Sequence, residues 1–186
     1  MQKIILASQS PRRKQLLEWA EIDFNIEVSD ADETYPEHLS VEEIPVFIAR
    51  NKAKAVQQKL NTNSLILAAD TIVVFNNKII TKPADRKDAI KTLQSLSGQQ
   101  HEVITGVVLL QNEKEICFSD ITKVEFYTLT NDQIIFYVDN YKPYDKAGAY
   151  AIQEWIGVVG IKLINGDFYN VMGLPVSRVV KALNNF

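Results

Sequence analysis

Apolar residues along this chain come in short runs whose spacing switches between a period of two and a helical period. The run Ile4–Ala7 suits a buried strand, and beyond it Leu16, Leu17 and Ala20 fall on one face of a helix predicted over about Pro11–Ala20. Ser10 precedes that helix as a cap, and Pro11 takes its first position, where no backbone N–H is required. Phe24–Val28 alternates as a short strand, and the polar, acidic stretch Ser29–Leu39 reads as a loop. Ser40-Val-Glu-Glu43 is a capping-box sequence opening a second helix that ends near Leu60, with Pro45 close enough to shift its start. Ile44, Phe47, Ile48, Ala55 and Val56 form the apolar arc of that helix.

Leu65–Phe75 is a nearly continuous apolar strand interrupted by Asp70 and Thr71, and Asn76-Asn77 can turn it into a partner at Lys78–Thr81. A third helix over about Ala84–Leu96 is stopped by Gly98. Val103–Leu110 and Glu115–Tyr127 form a hairpin around Asn112, and Thr130-Asn-Asp-Gln133 caps a fourth helix ending near Val138. Further strands are predicted at Ala149–Gln153, Gly157–Leu163 and Phe168–Val171, the last two joined at Asn165-Gly166. A closing helix covers Leu174–Leu183, with Pro175 in its first turn. The long middle hairpin and the segregated helices predict an α/β fold with a curved mixed β-sheet flanked by helices, rather than a doubly wound one.

Composition narrows the function classes. The 186 residues suit one domain or two small lobes. A net charge of -3 gives no basic field for general nucleic-acid binding, although a local cationic cluster can still hold a phosphorylated small molecule. Cys117 is the only cysteine, which excludes an internal disulfide and a thiolate metal cluster and is expected as a buried apolar residue. The N-terminal apolar run is too short for a signal peptide, and no run approaches a membrane span, so a cytoplasmic protein with no membrane partner is expected.

The first thirteen residues carry the sharpest chemistry. Ser8 and Ser10 precede the helix, and Arg12 and Arg13 stand in its first turn, where positive side chains oppose the helix dipole. A strand, a hydroxyl-rich turn and arginines at a helix start describe an anion cradle; a capped helix with two solvated arginines accounts for the same residues. Asp70 is a carboxylate inside an apolar strand, so it must be paired, metal-bound or at an exposed end. Asp30, Asp32 and Glu33 offer further oxygen ligands for a hard divalent cation, Mg²⁺ or Mn²⁺, whereas His38 and His101 lack any zinc-type spacing. Lys52 falls within the apolar arc of the second helix, either snorkelling to water or aimed into a cleft. Lys82 is held extended by Pro83, and Lys146 lies in Tyr144-Asp-Lys-Ala-Gly-Ala-Tyr150. The Gln153 amide can both donate to and accept from a pyrimidine edge.

These pieces, in this order, resemble the Maf family of nucleoside triphosphate pyrophosphatases, also called septum formation inhibitor Maf. The matching segments are Leu6-Ala-Ser-Gln-Ser-Pro-Arg-Arg13, Ala49-Arg-Asn-Lys-Ala53, Ala69-Asp-Thr-Ile-Val73, Lys82-Pro83, Ser97-Gly-Gln-Gln-His101 with Thr105-Gly106, Asp145-Lys-Ala-Gly-Ala-Tyr150 with Ile152-Gln153, and Asn170-Val-Met-Gly-Leu-Pro175. The resemblance implies a single Maf-like domain over residues 1–186, with two lobes around a cleft, similar to inosine triphosphate pyrophosphatases. It implies hydrolysis of a nucleoside triphosphate between the α and β phosphates, assisted by a divalent metal.

By the same resemblance, Asp70 is the proton acceptor for water, and Ser8, Arg12, Arg13, Lys52 and Lys82 hold phosphates. Glu33 helps Asp70 place metal or water. The segment Asp145–Gln153 is similar to the branch that acts on dTTP and UTP, with Arg12 or Arg13, Thr71, Lys146 and Gln153 at the base-recognising end. A branch preferring 7-methyl-GTP, a nucleotide- or nucleic-acid-binding regulator of septum formation and a phosphomonoesterase are the other readings. A homodimer is compatible with the family, but no dimerisation signal is legible.

Overall fold

The structure, a computed structural model, describes residues 3–28 and 30–186; Ser29, where the predicted acidic loop begins, lies outside them. β1 (Ile4–Leu6) leads through α1 (Pro11–Trp19) to β2 (Phe24–Ile26), and α2 (Glu43–Leu60) leads to β3 (Ile66–Phe75) and β4 (Lys78–Ile80). α3 (Arg86–Leu96) precedes β5 (Gln100–Gln111), β6 (Lys114–Phe126) and α4 (Asn131–Tyr141). α5 (Trp155–Gly160), β7 (Ile161–Asn165), α6 (Phe168–Met172) and α7 (Val176–Asn184) complete the described chain. The sheet is mixed, as predicted. Its order is β2-β1-β3-β5-β6-β7, with β4 paired to β3 off this path. β1 runs parallel to β2 and β3, while β4 and β7 are antiparallel to β3 and β6 respectively.

Local chemistry explains most boundaries. The Ser10 hydroxyl accepts the Arg13 N–H at the start of α1. Thr130 and Gln133 form a complete capping box on α4. Asn76 and Asn77 both adopt positive φ, as a two-residue hairpin turn of the primed type requires. At α2 the expected box forms in part: Glu42 takes the cap position without a side-chain cap bond, and the Glu43 carboxylate accepts the Ser40 N–H at 2.9 Å.

Three strand expectations are corrected. Ala149 ends a 3-10 turn and residues 150–153 form no strand, because Gly148 and Ala149 adopt φ values of 72° and 59° that no strand tolerates. Gly157–Gly160 belongs to α5, and only Ile161–Asn165 pairs as a strand. Phe168–Met172 is a single helical turn, opened by Asp167, whose carboxylate accepts the Tyr169 N–H at 2.7 Å. Cys117 is exposed rather than buried, with its sulfur 3.4 Å from the Arg50 guanidinium that also clasps Glu115.

The chain divides into two compact units. The first comprises Met1–Thr71, Thr105–Asp120 and Gly173–Phe186, and the second Ile72–Ile104 and Ile121–Met172. In the first, Ala49, Ala53 and Val56 of α2 pack on Ile5, Ala7, Ile66, Ala68, Val108 and Leu110 of the strands and their flanks. The start of α2 lies so close to β5 that a Cβ on Gly106 would stand 2.6 Å from the Pro45 carbonyl oxygen, so glycine here sets how closely that helix approaches the sheet.

In the second unit, Val73, Val103 and Val124 form a core joined by Ile80, Ala147, Ile161 and Val171. Beside it His101 is buried, with Nε2 2.7 Å from the Tyr150 hydroxyl and the ring stacked on Phe126. Its Nδ1 is buried without a hydrogen-bond partner among the described residues, and burial lowers the imidazole pKa to about 4. Above pH 6.5 the ring is neutral whether the chain is folded or not. Between 6.5 and 4 the unfolded chain takes up a proton that the folded chain refuses, so stability falls as pH falls. Urea unfolding at pH 7 and pH 4 is expected to show a loss from this group of about 3 kcal/mol. That component should disappear in His101→Gln; an undiminished fall in the variant would assign it to other groups.

Candidate active site

β3 brings two polar side chains into an otherwise apolar strand. Residues 66–69 and 72–74 are buried, whereas Asp70 and Thr71 are only partly so. Burial of the flanking hydrophobes fixes the strand, and the two polar groups then need partners.

Asp70 finds its partner on α2. Lys52 donates from Nζ to Asp70 Oδ1 at 2.7 Å, and the same ammonium stands 2.7 Å from Glu33 Oε1. Lys52 and Asp70 each expose 14% of their side chains and Glu33 exposes 55%, so the pair is largely shielded and opens to water on the Glu33 side. Two carboxylates therefore converge on one cation. Among the described residues no group of three or more His, Cys, Asp or Glu side chains could hold a metal ion.

Thr71 finds its partners around Arg13. The buried guanidinium donates from Nε to the Gly173 carbonyl at 2.8 Å, from one terminal nitrogen to Ser8 Oγ at 3.1 Å, and from the other to Thr71 Oγ1 at 2.9 Å. Thr105 Oγ1 lies 2.9 Å from Thr71 Oγ1, closing the cluster. Desolvation lowers the Arg13 pKa, and the nearby charges of Asp70 and Glu33 act against that shift. Ser8 Oγ also accepts the Ser10 N–H at 3.2 Å, so its two lone pairs are engaged and its own proton is left as a donor. Arg12, one position earlier on α1, is less buried than Arg13.

The first unit thus gathers Ser8, Arg12, Arg13, Glu33, Lys52, Asp70 and Thr71. Arg13 is stapled into the fold as a scaffold for Ser8, Thr71 and the Gly173 carbonyl rather than standing solvated. Thr105 and the Gly173 carbonyl join this cluster without being among the expected site residues, although both lie in the family-like segments Thr105-Gly106 and Asn170–Pro175.

The remaining expected residues belong to the second unit. Lys82 is exposed just after β4. Lys146 is buried, with Nζ 2.8 Å from Asp145 and 3.5 Å from Glu154. Gln153 is exposed between buried Ile152 and half-buried Glu154.

Comparison with known proteins identifies the family. The family described as Maf-like protein matches residues 3–186. A protein of Bacteroides fragilis named dTTP/UTP pyrophosphatase is 50% identical over 182 residues, covering 97% of this chain and 94% of that relative. One of Cytophaga hutchinsonii with the same name is 53% identical over 180 residues, covering 97% and 82%. Among solved structures, the Staphylococcus aureus Ham1 protein is similar at a TM-score of 0.48 and 15% identity, covering 67% of this chain and 71% of that one. With a family match across nearly its whole length and relatives identical at about half their positions, the chain belongs to the Maf family.

Proposed function

We propose that this chain is a dTTP/UTP pyrophosphatase, which splits the bond between the α-phosphorus and the bridging oxygen to release a nucleoside monophosphate and pyrophosphate. The observation that carries the chemistry is the Asp70 carboxylate held at 2.7 Å by a shielded Lys52 ammonium. The names of relatives that are 50% and 53% identical across 97% of the chain supply the substrate. No helix among the described residues is long and apolar enough to cross a membrane. A nucleotide substrate and a single unpaired cysteine suit the cytoplasm.

In this reading the Lys52 ammonium passes from Asp70 to an arriving phosphate oxygen, as a flexible side chain with three donors can. The freed Asp70 oxygen accepts a proton from water as the water oxygen bonds to the α-phosphorus and pyrophosphate departs. Arg12 and the Ser8 hydroxyl hold phosphate oxygens at the start of α1, and Lys82 adds a further cation. Lys146 and Gln153 serve the base.

The donor set also fits a divalent cation in one particular mode. Asp70 and Glu33 already converge on a positive charge, and Mg²⁺ is commonly held by one or two carboxylates with substrate phosphates completing its shell. Bound there, Mg²⁺ or Mn²⁺ would withdraw charge from the phosphates and make water more acidic.

A nucleotide panel with Mg²⁺ or Mn²⁺, reading pyrophosphate and orthophosphate separately, tests the proposal. Pyrophosphate from dTTP and UTP is expected. Pyrophosphate from 7-methyl-GTP alone would overturn the substrate, and orthophosphate alone would move the cut to another bond.

A further inference from the structure

Tyr137, on α4, is fully buried, yet its hydroxyl is the meeting point of one group from the segment predicted as a strand and one from the cap of α5. The hydroxyl accepts the Ala151 N–H at 3.1 Å and donates to a Glu154 carboxylate oxygen. The other Glu154 oxygen faces the buried Lys146 ammonium at 3.5 Å, and that ammonium also pairs with Asp145 at 2.8 Å. Ala151 and Glu154 are further joined by a backbone bond of 3.1 Å from the Glu154 N–H to the Ala151 carbonyl. One phenol oxygen thus pins both ends of a four-residue turn. Ile152 is buried within it, and Gln153 is the one member whose side chain is exposed.

From this geometry we propose that Tyr137 is a positioning residue for substrate selection. By anchoring residues 151 and 154, it fixes the backbone from which the Gln153 side chain projects, and Glu154 transmits the same constraint to Lys146. The proposal rests on the reading of Gln153 as the group that serves the base. An amide selects a pyrimidine only if its donor and acceptor arrive in one orientation, because a rotating amide satisfies a purine edge as readily. A buried clamp on either side of Gln153 fixes the backbone from which that amide projects without touching the substrate, so less freedom is left to be lost on binding.

Tyr137→Phe keeps the ring and removes the shared oxygen. For dTTP it is expected to raise KM about tenfold with kcat within about threefold, and to lower the preference for dTTP over dGTP about tenfold. A purely structural role would instead reduce kcat for both nucleotides alike and leave their ratio unchanged, which would overturn the proposal. Should Tyr137→Phe not fold, Glu154→Ala removes the anchor from a half-buried site without opening the core, and the same loss of preference is expected. Gln153→Ala separates the two levels. If it loses the preference while the folded clamp variant keeps it, the clamp is wrong and base reading stands. If Gln153→Ala keeps the preference, base reading by Gln153 fails and the clamp proposal fails with it.

Discussion

Asp70→Asn is expected to lower turnover of dTTP by about 10²- to 10⁴-fold, the range ascribed to a positioned general base. The substitution is nearly isosteric, and its amide oxygen can still accept from Lys52, whose ammonium keeps Glu33 as a counter-ion 2.7 Å away. Folding and nucleotide affinity should therefore survive. The interaction lost is the transfer of a proton in the transition state, so kcat and kcat/KM should fall together. Steady-state kinetics with thermal melts in parallel would check this. A variant that keeps near-full turnover would remove Asp70 from the proton-accepting role, whereas a collapse in melting temperature would assign it to the fold instead.

Arg13→Lys is expected to cost about 2–4 kcal/mol of stability, a large share of the roughly 5–15 kcal/mol typical of a folded domain. The planar guanidinium reaches the Gly173 carbonyl, Ser8 and Thr71 from three nitrogens at once, and an ammonium keeps the charge but cannot span those acceptors. What remains is a buried charge with fewer partners and hydroxyls without their donor, the costlier side of hydrogen-bond loss. Urea unfolding reads the stability. Activity at a temperature where the variant stays folded reads the second effect, a loss of turnover as Ser8 and Thr71 lose their placement. Wild-type stability in Arg13→Lys would contradict the scaffold role.

How far the sequence could be read follows from how local each cause is. The Ser10 cap, the Thr130–Gln133 capping box and the Asn76-Asn77 turn are settled by neighbouring residues, and all three were legible. The stretch from Ala149 to Val171 was legible only at Ile161–Leu163, which does pair as a strand. Its apolar, β-branched residues suit strands, but positive φ at Gly148 and Ala149 and the capture of the Ala151 N–H by a phenol on α4 override that preference. In the candidate site the residue types were legible and most pairings were not. An aspartate in an apolar strand announces that it needs a partner, but not that the partner is Lys52, and nothing near Tyr137 in the sequence points to Glu154.

The bond from Arg13 to the Gly173 carbonyl joins residues 160 positions apart, and it has a consequence during synthesis. The peptide group of Gly173 is synthesised 160 residues after Arg13, so the guanidinium waits through that interval without the backbone acceptor it has in the fold. The first unit is also built from three separated segments, the last beginning at Gly173. Vectorial folding can pre-form the parallel strands around β1, but the cluster that Arg13 makes with Ser8, Thr71 and the Gly173 carbonyl closes only when that last segment arrives.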